Sequence, residues 1–131
     1  MENIIENTID LIKSDKFASE NGIFLESVSK GEACAKMIIS ERHLNGLGTV
    51  QGGALFTLAD LAAAAASNAY GVPTVALVAE ISFVKAVSKG VLTAKTSELY
   101  RRRTVAGYST KIFDQDDNLI AVFNSTAYIK N

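Results

Sequence analysis

Between Ala54 and Ala69 the chain carries a single charged side chain, Asp60, in a run dominated by alanine. A carboxylate in such a setting can act as general base toward water or as a nucleophile. Gly52-Gly53 stands just before the run. At a helix start, backbone N–H groups lack partners and point outward in a positive dipole field. Without Cβ atoms, two glycines there let a carbonyl oxygen come within hydrogen-bond distance. One preorganised donor of this kind lowers a barrier by about 3 kcal/mol. Plainer roles stand beside these. Asp60 could form a structural ion pair with a buried Arg or Lys. The helix dipole does not account for it, because that effect fades after the first turn and Asp60 lies about two turns in. A Gly-Gly pair alone is often only a turn, and Asn45 alone can be a loop residue tolerating left-handed angles.

The remaining reactive types are few. His43 is the only histidine and Cys34 the only cysteine, which excludes an internal disulfide and any multi-cysteine metal site. Cys34 alternates with small apolar residues in "EACAKMIIS" and reads as a packed strand residue. His43 reads as structural. Arg101, Arg102 and Arg103 form the one concentrated basic run; guanidinium groups suit phosphates, but a charged run at a hairpin is also an ordinary solvated turn.

These residues need elements to hold them. Ile4, Ile5, Ile9, Leu11 and Ile12 recur at helical spacing, with Glu2, Glu6, Asp10 and Lys13 between them, which describes an amphipathic helix of about three turns. Its polar face is mostly acidic, so it suits packing on the domain's own sheet better than a membrane surface. "DKFASENG" adds a short turn ending at Gly22. "IFLESVS" and "ACAKMIIS" flank Lys30-Gly31-Glu32 as a hairpin. The glycine-rich "ERHLNGLGTVQGG" is a loop, and the alanine run after it is a helix of roughly four to five turns, stopped by Gly71 and Pro73. Four more strands follow at about 74–85, 91–101, 104–114 and 119–129. Helix, two strands, long helix and four strands make an α+β domain with the helix packed on an antiparallel sheet. The long helix has almost no polar face, so something beyond its own sheet must enclose it, and a second copy of the chain is the natural candidate.

The 131 residues are enough for one domain. A net charge of −1 gives no attraction for nucleic acid or an anionic membrane. "MENIIENTIDLIKSDKF" lacks the features of a secretory signal, and the most apolar block is short for a membrane span and contains Asp60. A cytosolic setting is expected, in which the tripeptide Asn124-Ser125-Thr126 has no meaning as a glycosylation acceptor.

Element order and motif together resemble a hotdog-fold acyl-CoA thioesterase of the PaaI-like (phenylacetic acid degradation type) branch. The carrying pattern is Asn, Gly, His-Gly-Gly and an Asp seven residues beyond the second Gly. It reads here Asn45, Gly48, Gln51-Gly52-Gly53 and Asp60, in "HLNGLGTVQGGALFTLAD". The resemblance covers about residues 20–130, since the last four strands match in length and turn placement. It implies one hotdog domain over 1–131, with 1–20 as a helical extension and a curved antiparallel sheet of five to six strands wrapping the long central helix.

The resemblance also implies hydrolysis of an aryl or short-to-medium-chain acyl-CoA thioester, with coenzyme A entering as part of the substrate and no cofactor or metal. Asp60 is then base or nucleophile, the Gly52 N–H polarises the carbonyl, Asn45 orients the water or carbonyl, and Gln51 adds a polar contact. Substrate contacts are expected at Gly53, Phe56, Thr57, Phe83, Lys85, Arg101 and Arg102, with Leu61 also shaping the acyl pocket. Two subunits pair along their helices, as a homodimer or a dimer of dimers, so that the glycine N–H of one copy meets Asp60 of the other. Gln51 replaces the histidine common in this branch; it can donate a hydrogen bond but cannot titrate near neutral pH. The strand hydroxyl that helps hold water in some members falls on Ala76, with Thr74 earlier on the same strand face. A hydratase of this fold usually pairs histidine with a carboxylate, which Gln51 does not supply, and a silent acyl-CoA binder is the remaining alternative.

Overall fold

Alanine's helix propensity sets the longest helix of the chain. In a computed structural model, which describes residues 3–130, it runs as α3 from Gly52 to Asn68. Before it come α1 (Ile4–Lys13), α2 (Lys16–Glu20), β1 (Ile23–Ser29), β2 (Glu32–Ile38) and a 3-10 turn at Glu41–His43; after it come β3 (Thr74–Phe83), β4 (Val91–Arg101), β5 (Val105–Phe113) and β6 (Leu119–Ile129). The expected elements are all present. The long helix starts two residues earlier than the alanine pattern indicates, so Gly52 and Gly53 form its first turn. Side-chain oxygens of Asn3 and Asp15 cap α1 and α2, accepting from Glu6 N at 3.1 Å and Ala18 N at 3.0 Å. Glu2, assigned above to the polar face of α1, lies outside the described residues.

The six strands form one antiparallel sheet in the order β1-β2-β4-β5-β6-β3. Strands stand ~4.8 Å apart, so a flat sheet of this size would be far wider than a helix of about 10 Å diameter. Yet α3 touches all six strands, so the sheet must curl around it. Leu55, Leu58 and Leu61 enter the core with the inward side of the sheet, where Met37, Leu92, Tyr108, Ile112 and Phe123 are all but fully buried. The strand alternation that buries Ala33, Ala35 and Met37 turns Cys34 to the outer face with Lys36, only partly covered. There its thiol lies 3.5 Å from Glu26.

Among the described residues, a stripe of α3 and the β3 edge stay uncovered. On α3, Gly53, Phe56, Thr57, Asp60, Ala64 and Asn68 recur at helical spacing and are not buried. The edge strand β3 exposes Val75, Leu77 and Val78, at 44%, 56% and 64%. An apolar, unpaired edge is a surface that native proteins normally cover.

Candidate active site

Asp60 projects from the middle of α3 into a cavity of about 220 Å³, bounded by the inward faces of β3 and β6. It has no hydrogen-bond or ion-pair partner among the described residues, so the structural ion pair considered above does not form. Burial is the main cause that holds its carboxyl above the usual carboxylate range, and the charge of Asp15 adds to it. Opposite Asp60, β3 offers Thr74 and Ala76, and β6 offers Ser125.

The glycines lie elsewhere. Gly52 borders a groove of about 320 Å³ together with Asn45, Phe83 and Lys85. Neither Gly52 nor Gly53 has a positive φ, so backbone freedom is not the reason for glycine. Space is. A Cβ on residue 52 would stand 2.9 Å from the Phe83 ring, and one on residue 53 would stand 2.8 Å from Gln51 Oε1. The Gly52 and Gly53 N–H groups have no acceptor among the described residues, because the chain enters the helix from an extended Gln51 that makes no capping bond.

Asn45 braces the loop that delivers these glycines. Its Oδ1 accepts from Leu47 N at 2.9 Å and Thr49 N at 3.2 Å, and its Nδ2 donates to Thr49 Oγ1 at 3.0 Å. It is not left-handed; Gly48 supplies that conformation, at φ 81°. His43, 4% exposed, accepts from Ser40 N at Nδ1 (3.0 Å) and bonds the Asn21 carbonyl through Nε2. Both ring nitrogens are occupied, which makes it the structural residue expected.

A third hollow, of about 330 Å³, brings Gln51, Gly53 and Thr57 beside Phe17 and Arg42. Thr57 donates to Gly53 O at 2.8 Å. Phe56 sets its ring edge-on to Phe123, with centroids 5.0 Å apart. Leu61 faces the core at 4% exposure and lines none of these spaces, a correction to its expected place in the acyl pocket.

Arg101 is also corrected. Its guanidinium stacks 3.8 Å from the Tyr70 ring, pairs with Glu98 at 3.9 Å and donates to Ser67 O at the C-terminal end of α3. Glu98 in turn accepts from Tyr70 at 2.9 Å and Tyr108 at 2.8 Å. Burial, first, and this carboxylate, second, raise both phenol pKa values. Arg101 is thus committed to the fold. Arg102 is exposed on the neighbouring hairpin, at the far end of α3 from Lys85. Composition and motif do not mark Glu98 or Ser125 as site residues. Period-two alternation through Phe123, Ser125 and Ala127 is the signal that places Ser125 on the inner face.

One chain therefore does not bring its catalytic candidates together. Gly52 and Asp60 sit eight residues apart on one helix, about 12 Å along its axis.

A model of the family described as Thioesterase superfamily (4HBT) matches residues 47–121. A putative esterase of Archaeoglobus fulgidus is 31% identical over 122 residues, covering 92% of this chain and 79% of that protein. The acyl-coenzyme A thioesterase PaaI of Escherichia coli is 30% identical over 124 residues, covering 94% and 89%. The solved structure of the E. coli PaaI protein from the phenylacetic acid degradation operon superposes with a TM-score of 0.93 at 28% identity, covering 98% of this chain and 94% of that one. That of the TT0310 protein from Thermus thermophilus gives 0.83 at 31% identity, covering 87% and 97%.

Proposed function

The chain belongs to the thioesterase superfamily and is a thioester hydrolase, and on that premise we propose that it cleaves acyl-coenzyme A thioesters carrying an aryl or short-to-medium acyl group. The observation that carries this reading is Asp60, a partly buried carboxylate without a partner among the described residues, in a cavity beside a mostly apolar helix. Water attacks the thioester carbonyl carbon while Asp60 takes its proton. The oxygen that gains charge is held by the Gly52 N–H. The tetrahedral intermediate then collapses, the C–S bond breaks, and the departing sulfur takes up a proton to give the free acid and coenzyme A. Direct attack by the carboxylate, through a mixed anhydride that water later opens, uses the same two groups. The space beside Asp60 is large enough for water, which favours the first route.

On this reading a second copy bridges the separation along α3. Gly52 of one protomer and Asp60 of its partner meet on one thioester when two copies pair at the β3 edge and along their helices, as a dimer or a dimer of dimers. This covers Val75, Leu77 and Val78 and the open stripe of α3. Asn45 acts through the loop it braces, and Gln51 adds a polar contact. Gly53, Phe56, Thr57 and Phe83 wall the thioester, while Lys85 and Arg102 meet the coenzyme A phosphates. A cytoplasmic setting matches a chain with one free cysteine.

The test follows free thiol released from a panel of aryl and aliphatic acyl-CoA thioesters. Asp60→Asn is expected to lower kcat/KM by about 10²–10⁴, the range for loss of a general base. Undiminished turnover in that variant overturns the assignment. Binding without turnover in the unaltered protein marks a silent binder, and hydration of an enoyl thioester without thiol release marks a hydratase.

A further inference from the structure

We propose that Ser125 holds the attacking water beside Asp60, so that β6 supplies the hydroxyl of this site; the inference rests on the role given to Asp60 above. A water held by its base alone is free to swing about that one hydrogen bond, and a second contact fixes the lone pair on the carbonyl carbon.

The cavity containing Asp60 is lined by five hydroxyl residues, Ser67, Thr74, Tyr108, Ser125 and Thr126. Three are committed. Ser67 and Thr74 bond each other, and Ser67 Oγ also donates to Ala64 O at 3.2 Å. Tyr108 donates to Glu98 at 2.8 Å and accepts from Arg101 at 3.3 Å. Thr126, opposite Gly107 and Val78 in the register, turns its side chain to the outer face of the sheet by strand alternation. Ser125 is the one left. It shares the inner face with buried Phe123 and Ala127, and its register partners are Tyr108 on β5 and Ala79 on β3. Its hydroxyl has no hydrogen-bond partner among the described residues. Two residues beyond Thr74 on β3, Ala76 presents a methyl group, not a hydroxyl, to the same space. A serine oxygen can accept one water proton while the carboxylate takes the other.

Steady-state thioester hydrolysis by the full-length chain tests this, with Asp60→Asn measured alongside. Ser125→Ala is expected to lower kcat about tenfold, the value of one lost hydrogen bond, with KM and melting temperature unchanged. Ser125→Thr, which keeps the hydroxyl, restores most of the rate. In an Asp60→Asn background, Ser125→Ala costs nothing further, because the two groups act as a unit. A Ser125→Ala enzyme with the original kcat, a loss confined to KM, or a full additional loss in the Asp60→Asn background overturns the Ser125 role. If Asp60→Asn shows its expected loss in those same assays, the wider reading stands without it; if Asp60→Asn is fully active, both fall.

Discussion

The two ends of α3 are built to opposite rules. At its C-terminal end the backbone acceptors are taken. Gly31 N bonds Ala66 O at 3.1 Å, Thr8 Oγ1 donates to Asn68 O at 3.2 Å, and Arg101 reaches Ser67 O at 3.4 Å. The nearby carboxylate, Glu98, is surrounded by two phenols and a guanidinium. At the N-terminal end the Gly52 and Gly53 N–H groups have no acceptor, and Asp60, midway along, has no donor, among the described residues. Partners for a carboxylate are therefore available in this fold, and Asp60 is withheld from them. An unpaired, partly desolvated acid costs stability and persists where chemistry needs it.

Substitutions at the two carboxylates should separate these rules. Asp60→Asn, with the largest expected effect, removes activity by the two to four decades given above and leaves the protein folded. Gly52→Ala should follow, at about a hundredfold, the cost of misplacing a reacting group by roughly 1 Å, because the new methyl meets the Phe83 ring. Adding Phe83→Ala should recover part of that loss, and a Gly52→Ala enzyme with undiminished kcat/KM would remove the N-terminal end from the chemistry. Glu98→Ala should do the reverse of Asp60→Asn. Arg101 and two phenols lose their partner in a region about one-fifth exposed, for a cost of about 1–3 kcal/mol in chemical denaturation, with kcat/KM retained. Equal losses of activity and stability at Glu98 would erase the contrast.

The contrast was only half legible in the sequence. Asp60 stands out because nothing else in its run is charged, and alanine makes the helix plain. Two features were hidden by events elsewhere in the chain. The helix begins at Gly52, although glycine argues against it, because a ring on β3 needs the room. Arg101 looks like its neighbours Arg102 and Arg103, and strict alternation would put it on the opposite face from Glu98. A bulge between Glu98 and Tyr100 shifts the register, so both turn inward, opposite Ala106 and Tyr108. Asn45 was recognised by motif, but its work on Thr49 is a loop geometry that spacing does not encode.

The smallest expected effect concerns the origin of Asp60's raised pKa. Burial is the larger cause and Asp15 the smaller. In the proposed role of base Asp60 must be ionised, so kcat/KM is expected to fall as the pH drops through the raised value, with an acid limb above the position of an ordinary aspartate. Stability follows the opposite sign. The fold carries no penalty from Asp60 below the unfolded-state value of about 3.9, and the penalty sets in as the pH rises through the folded value. Asp60→Asn should therefore melt higher than the unaltered protein at neutral pH and match it in acid. Asp15→Asn tests the minor cause with little disturbance, since asparagine also caps α2 well. It should move the acid limb of kcat/KM to lower pH without changing its plateau. A limb that stays in place in Asp15→Asn assigns the shift to burial alone. A limb at the ordinary aspartate position in the unaltered enzyme would mean that Asp60 is solvated during turnover, and the withheld carboxylate would lose its distinction from Glu98.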